Sequence, residues 1–209
     1  MIKGVTMTEP HPEFHWLSGR GPLEDIFCVS FVRGLSCLEV LTRLGVDEST
    51  VEEMAFDELN ELAMEEAAAT SGTDPGYVGA VKLGEWAVLV EPLGWRVPVK
   101  RGLLGRLSNE TEVVSISRHD YADDGFVYAV DRDVMLRFDP LTPQYREGVD
   151  SEHWEAAMDE VGLGRRTFDD PIPDRPIACA FALARKITGV SFTSDVLDKP
   201  FLVAVANKQ

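Results

Sequence analysis

Residues 76–93, GYVGAVKLGEWAVLVEPL, carry the pattern that decides the fold. Two runs of β-branched and aromatic residues flank a polar turn, and an acid followed by proline ends the second run, which is typical of a β-hairpin. Residues 125–141, GFVYAVDRDVMLRFDPL, repeat this pattern, with an offset of 49 at the start (125 − 76) and 48 at the end (140 − 92). We therefore predict two related hairpins, neighbours in one antiparallel sheet, with the one-residue slip in the turn.

Strands and helices alternate on either side of the hairpins. Residues 26–32 (IFCVSFV) are apolar on both faces, which favours an interior strand, and residues 201–205 suit a last edge strand. Apolar residues at helical spacing predict helices after the capping box of Ser36 and Glu39, over 56–69, within 97–107, after Asp150, and from Pro176 to Gly189. Since hairpins impose antiparallel pairing, the fold class is α+β, with helices packed on a mainly antiparallel sheet.

Length and composition predict one folded domain. The chain has 209 residues, 44% of them hydrophobic and 27% charged, and no Gly/Ser-rich linker divides it. A chain of this kind can bury a substantial core. Its polar, proline-containing start predicts a flexible N-terminal arm over residues 1–12, followed by a single domain over 13–209.

The charge balance is strongly acidic, with 36 acidic against 20 basic residues and a net charge of −16. This field repels phosphate backbones and anionic lipids, so it argues against nucleic-acid and membrane binding and favours a basic protein as any partner. The sequence also contains no recognisable signal peptide and no apolar run long enough to span a bilayer. Three widely spaced cysteines without a C-x-x-C pair argue against a disulfide framework or a zinc site, so we expect a cytoplasmic protein.

Several segments are similar to those of one known family. They are FVRGL and EVLTRLG within residues 31–45, GEWAVLVEP at 84–92, LRFDP at 136–140 and AFALARKITGVSFT at 180–193. The chain resembles a family of bacterial domains of unknown function that is common in actinobacteria. The resemblance implies a single domain and brings no activity. An Asn-rich stretch is frequent in that family where this chain has His119 and Asp120, which implies that His119 has no fixed catalytic role.

An aromatic residue beside an arginine is the main candidate for binding. Trp95 and Arg96 follow the first hairpin, and this composition is common in recognition sites, although Trp95 could also be a core residue. Arg33 follows an apolar strand, so its guanidinium must either pair with an acid or reach solvent. A structural ion pair is the default for Arg33, and a binding role is the alternative.

The strand-end carboxylates of Glu91 and Asp139 are a candidate catalytic pair. They occupy matching positions in the two hairpins and could face one another as a general acid and base. Each could also simply end a strand and accept a local backbone hydrogen bond. The sequence leaves both interpretations open.

A polar loop provides the second candidate for chemistry. His119, Asp120, Asp123 and Asp124 could bind a divalent cation or supply a base, but the loop lacks the calcium-binding pattern and could be only a solvated loop. The chain has no phosphate loop, dinucleotide fingerprint or nucleophile elbow, so no cofactor is predicted.

Two functions from different classes remain. One is a non-enzymatic protein-interaction module, immunity-like, inhibitor-like or regulatory, whose acidic surface meets a basic partner. The acids on the outer face of helix 56–69 could take part or could only solvate that face; they are Asp57, Glu58, Glu61 and Glu65. The other function is a hydrolase or small-ligand-binding enzyme that uses the His119 loop or the paired carboxylates. A deep pocket at which these groups converge would favour the second function.

Overall fold

The described residues form eight strands in one antiparallel sheet, which confirms the predicted α+β class. The computed structural model describes residues 11–17, 21–70, 76–119, 124–165, 167 and 170–206. The strands are β1 (Phe27–Arg33), β2 (Glu52–Met54), β3 (Tyr77–Leu83), β4 (Trp86–Pro92), β5 (Glu112–Arg118), β6 (Gly125–Val130), β7 (Asp133–Phe138) and β8 (Phe201–Val205). Their order across the sheet is β2-β8-β3-β4-β1-β5-β6-β7.

Helices cover both faces of this sheet. They are α1 (Cys37–Arg43), α2 (Phe56–Thr70), α3 (Arg96–Val99), α4 (Arg101–Leu107), α5 (Glu155–Glu160) and α6 (Pro176–Thr188). The face under α2, α5 and α6 is termed the α6 face, and the face under α1, α3 and α4 is termed the α1 face. Within the described ranges, no helix has the length and apolar character needed to cross a bilayer.

Strand β1 lies at the centre and is buried on both faces, as predicted for an interior strand. Phe27 and Phe31 belong to the core of the α6 face, and Val32 belongs to the core of the α1 face. The polar side chain of Ser30 is fully buried, and its Oγ lies 2.7 Å from Oγ of Ser115 on β5. The two hydroxyls satisfy each other, so the polar pair is compatible with the centre of the sheet.

Both predicted hairpins form in this sheet, as β3–β4 and β6–β7. They are not neighbours, because β1 and β5 lie between them. Both turns contain two residues, and the irregular register lies between Tyr128 and Ala129 rather than in the turn. Gly79 pairs with Val90 in the first hairpin. In the second hairpin, Tyr128 occupies the position that matches Gly79, but it pairs with Leu136, two positions before the residue that matches Val90. The matched residues therefore occupy the same faces of the sheet in different pairings.

The predicted helices form, with some changes in extent. The capping box at α1 is present, since Ser36 Oγ accepts a hydrogen bond from the Glu39 backbone N–H and Glu39 Oε2 accepts one from the Ser36 backbone N–H. The segment 97–107 is divided at Lys100 into the short helices α3 and α4. Helix α6 begins at Pro176 and ends before Gly189, whose φ of 72° suits glycine.

Two predictions concern the ends of the chain. Strand β8 is not at the sheet edge, because the short strand β2 pairs with the outer side of β8. The polar sequence of β2, EEM, did not indicate a strand. The predicted flexible arm falls largely on residues 1–10, which lie outside the described residues. His11 Nε2 lies 3.1 Å from the carbonyl oxygen of Val161, and Pro12 begins a 3-10 helix, Pro12–Leu17. Residues 11 and 12 are therefore held against the domain.

Replacing Trp86 tests the packing of β4. Trp86 is 4% exposed, so Trp86→Ala is expected to lower the free energy of unfolding by about 3–5 kcal/mol, because it leaves a cavity in the core. Urea unfolding followed by circular dichroism measures the change. Trp95→Ala is the matched control and should cost less, since Trp95 is 37% exposed. An unchanged midpoint for Trp86→Ala would contradict its burial.

Candidate functional site

A cleft of about 740 Å³ opens at one end of the sheet, between α3 and the end of β7. Helix α3 contacts β1, β5 and β6, and the opposite wall comes from β7 and residues 145–147. Of the residues singled out in the sequence, Trp95, His119, Asp124 and Asp139 line this cleft. Four candidates from three separate segments of the chain thus meet at one concave surface.

Three exposed apolar side chains form part of the cleft lining. Trp95 immediately precedes α3 and is 37% exposed, and Val99 ends α3 and is 62% exposed. Tyr145, on the opposite wall, is 69% exposed. Large apolar groups are normally removed from water, so their convergence on one concave surface is typical of a binding surface.

A buried ion pair anchors α3 to the sheet. Glu91 on β4 is 1% exposed, and its Oε2 accepts a hydrogen bond of 2.7 Å from Nε of Arg96. The turn between them is tight: a Cβ added to Gly94 would lie 2.9 Å from Cβ of Glu91, so a side chain at this position would force a shift. Arg96 is therefore held by the core of the sheet and does not line the cleft. Its predicted binding role does not extend to this site.

The thiol of Cys28 lies beside this ion pair. Cys28 pairs with Glu91 across β1 and β4, and its Sγ lies 3.2 Å from Oγ of Ser115. Burial raises the pKa of the Cys28 thiol well above its ordinary value, and the negative charge of Glu91 raises this pKa further. Cys28 therefore stays protonated and is unsuited to act as a nucleophile.

The structure separates the predicted carboxylate pair. Glu91 is on β4 and Asp139 follows β7, so three strands lie between their strands. Four steps of about 4.8 Å place them about 19 Å apart, too far to act on one bond. Asp139 Oδ1 instead accepts a hydrogen bond of 2.7 Å from the Leu141 backbone N–H, which is the local structural role that the sequence left open.

The His119 loop contributes one imidazole and one described carboxylate to the cleft. The His119 ring packs edge-on against Trp95, with ring centroids 4.6 Å apart, and its backbone N–H donates to Asp124 Oδ1 at 3.2 Å. Asp120 and Asp123 lie outside the described residues. Among the residues that the structure describes, no group of three or more His, Cys, Asp or Glu side chains is placed to hold a metal ion.

Arg137 places a positively charged group in the wall of the cleft. It pairs with Val127, whose side chain lies in the core of the α1 face, so the Arg137 side chain projects from that face. Its Nε and Nη2 are buried and have no hydrogen-bond partner in the described part of the chain. Oε1 of Glu147 is 4.0 Å from Nε, which is beyond hydrogen-bond distance. Buried guanidinium N–H groups normally have acceptors, so Arg137 is suited to an anionic ligand.

Arg146 lines the cleft and pairs with carboxylates near the start of α5. Its side chain is 3% exposed, and its Nη2 lies 3.7 Å from Oε2 of Glu152 and 3.4 Å from Oε1 of Glu155. Arg165 contacts the same two carboxylates. This network ties residues 145–147 to the start of α5, so we infer that Arg146 positions the wall.

Arg33 lies at the other end of the sheet. It pairs with Trp86 in the β1–β4 register, and its Nη1 lies 2.8 Å from Oε1 of Glu112. The default expectation of a structural ion pair is confirmed. Arg33 is therefore remote from Trp95, and the structure does not join them into one site.

Three residues of the cleft were not predicted from the sequence: Arg137, Tyr145 and Glu147. A signal for Arg137 was available, because it interrupts the mostly apolar strand DVMLRF. Glu147 was concealed, since it meets Arg137 through an isolated β-bridge across the loop after β7, ten positions further along the chain (147 − 137). Tyr145 lies in that loop without any local periodicity.

A family model matches nearly the whole chain. Residues 7–209 match a family of unknown function (DUF6461), and the chain belongs to this family. No curated protein and no solved structure shows significant similarity to the chain. The resemblance to a family of unknown function is thus confirmed, and it assigns no activity to the cleft.

Removing the charge of Glu91 tests the anchor of α3. Glu91→Gln is expected to lower the free energy of unfolding by about 3 kcal/mol, because it leaves the guanidinium of Arg96 without a buried counter-charge. Chemical denaturation measures this loss. Glu112→Gln, which removes the partner of the half-exposed Arg33, is the control and should cost less than about 1 kcal/mol. Equal losses in the two variants would refute the anchoring role.

Proposed function

We propose that this domain binds a small organic anion that carries an aromatic ring, and that the cleft beside α3 is its binding site. The observation that carries the proposal is Arg137, whose Nε and Nη2 have no hydrogen-bond acceptor among the described residues. The half-exposed indole of Trp95 lines the same cleft. Guanidinium N–H groups without acceptors among the described residues, together with an apolar wall, suit a ligand with one anionic end and one flat apolar end.

The size and charge of the cleft narrow the ligand class. A volume of about 740 Å³ falls within the range of roughly 300–1,000 Å³ that small-molecule sites occupy. The carboxylates of Asp124, Asp139 and Glu147 also line the cleft and disfavour a second negative charge. A monocarboxylate suits these surroundings, because its two oxygens match the geometry of one guanidinium.

Binding is favoured over hydrolysis at this site. The separation of Glu91 from Asp139 removes the paired-carboxylate mechanism. His119 packs against Trp95, which suits a ring that orients a ligand. We place the protein in the cytoplasm, which is supported by the three free cysteines Cys28, Cys37 and Cys179.

Benzoate tests the role of Arg137. Isothermal titration should detect benzoate binding to the parent protein, and Arg137→Gln should weaken it about tenfold, because a charge-assisted hydrogen bond is lost. Benzyl alcohol, which keeps the ring without the charge, should bind the parent more weakly and should be insensitive to this substitution.

Arg132→Gln is the matched control. Arg132 is an exposed residue in the β6–β7 turn, at the opposite end of β7 from the cleft. Its replacement removes the same charge and should leave benzoate affinity unchanged. Equal weakening by both substitutions, or no benzoate binding to the parent, would disprove the proposed site.

A second candidate function is recognition of a basic protein. A groove of about 460 Å³ between β2 and α2 is lined by five acids and two apolar residues. The acids are Glu52, Glu53, Glu58, Glu61 and Glu65. All five are exposed, so their fields add at one surface and favour a cationic partner. Solvation of α2 is the competing explanation.

A short polylysine peptide tests this groove. Neutralising four acids of α2 should slow association at low salt by at least about threefold and reduce the salt dependence, because the local field is lost. The four are Asp57, Glu58, Glu61 and Glu65, each changed to its amide. The control variant neutralises four exposed acids elsewhere, so it has the same net charge as the α2 variant. These acids are Glu24, Glu110, Asp133 and Asp198. If both variants associate at the same rate, net charge alone acts and the groove is only a solvated surface.

A further inference from the structure

One segment of this acidic protein carries basic residues and no acidic ones. Residues 92–109 contain four basic residues and no acid, in a chain with 36 acidic and 20 basic residues. Helices α3 and α4 are built from this segment. The field of the molecule is therefore not uniformly negative, and an anion can approach this part of the surface.

Three of these basic residues meet at a second cavity. Arg96, Lys100 and Arg106 line a cavity of about 210 Å³, termed here the α3–α4 pocket. The rest of its described lining is apolar or glycine, with Leu103 on one side and Ala206 on another, and no described carboxylate lines it. The pocket is distinct from the cleft, because none of the residues that the structure describes lines both.

Two of the three cations are held in place by the fold. Nε of Arg96 donates to the buried Glu91, and its Nη2 is buried without a hydrogen-bond partner in the described part of the chain. Nε of Arg106 donates to the carbonyl oxygen of Arg43 at 3.2 Å, at the end of α1. Nη1 of Arg43 in turn donates to the carbonyl oxygen of Asn109 at 2.7 Å, beyond the end of α4. Fixed guanidinium groups lose little freedom when an anion binds.

We propose that the α3–α4 pocket binds a phosphate group. Three cations, from α3, from α4 and from the residue between them, suit a tetrahedral anion with two charges and oxygens in several directions, whereas a planar carboxylate is matched by a single guanidinium. The volume of 210 Å³ lies below the roughly 300 Å³ at which sites for whole small molecules begin. The pocket therefore takes a free phosphate ion or the phosphate end of a larger molecule.

Inorganic phosphate is the probe for this site. Titration at constant ionic strength, followed by amide chemical shifts, should show saturable changes at residues 100–103 and at Ala206. Acetate should give weaker changes at the same amides. Glycerol 3-phosphate distinguishes the two sources: tighter binding than phosphate identifies a phosphomonoester, and equal or weaker binding identifies the free ion. If neither phosphate compound binds, the proposal is overturned.

Neighbouring residues provide a matched pair of variants. Lys100 and Arg101 are adjacent and exposed, and only Lys100 lines the pocket. Lys100→Gln should weaken phosphate binding about tenfold, and Arg101→Gln should change it less than about twofold. Thermal unfolding establishes that both variants remain folded. Equal weakening in the two variants would show that diffuse surface charge attracts phosphate and would overturn the pocket.

Discussion

The double burial of strand β1 is the constraint on which the rest of the structure depends. Its backbone pairs with β4 on one edge and with β5 on the other, and six of its seven residues are buried. A strand in this position must be covered on both faces, so helices from separate parts of the chain pack on each side. The same strand spaces the two hairpins apart. The distance between their strand-end carboxylates follows from that spacing.

The short helix α3 and the residues on either side of it border both the cleft and the α3–α4 pocket. Trp95 and Val99 face the cleft, while Arg96 and Lys100 line the α3–α4 pocket. The buried Glu91 fixes this ridge to the sheet through Arg96. Because one element borders both cavities, a ligand that displaced α3 from one side would alter affinity on the other, and the effect would be reciprocal. The anchor at Glu91 limits how far such a displacement could go.

Local patterns were sufficient for most elements and insufficient for their arrangement. The capping box at Ser36 and the glycine after α6 are set by residues close in sequence, so they could be predicted. The register within the second hairpin could not be predicted, because shifting one strand by two residues keeps its alternating pattern on the same faces of the sheet. Strand β2 has no apolar alternation and exists through its pairing with β8.

Some residues of the candidate site could be predicted from the sequence, and others could not. Trp95, His119 and Asp139 attract notice by their chemistry alone, wherever the fold places them. Arg137 meets Glu147 through a bridge across a loop, which no local pattern reveals. The basic segment 92–109 was hidden by the large net charge, since a sum over the whole chain removes the information about where charges lie.

The position of β8 has a consequence for how the domain is assembled. It is the last of the eight strands in chain order, yet it lies between β2 and β3, which are made much earlier. The chain from Leu83 to Phe201 spans 118 positions (201 − 83), so this closure is a distant and slow contact. Until β8 docks, one edge of β3 is unpaired and open to pairing with another chain. The chain is therefore exposed to this mispairing from the synthesis of β3 to the docking of β8.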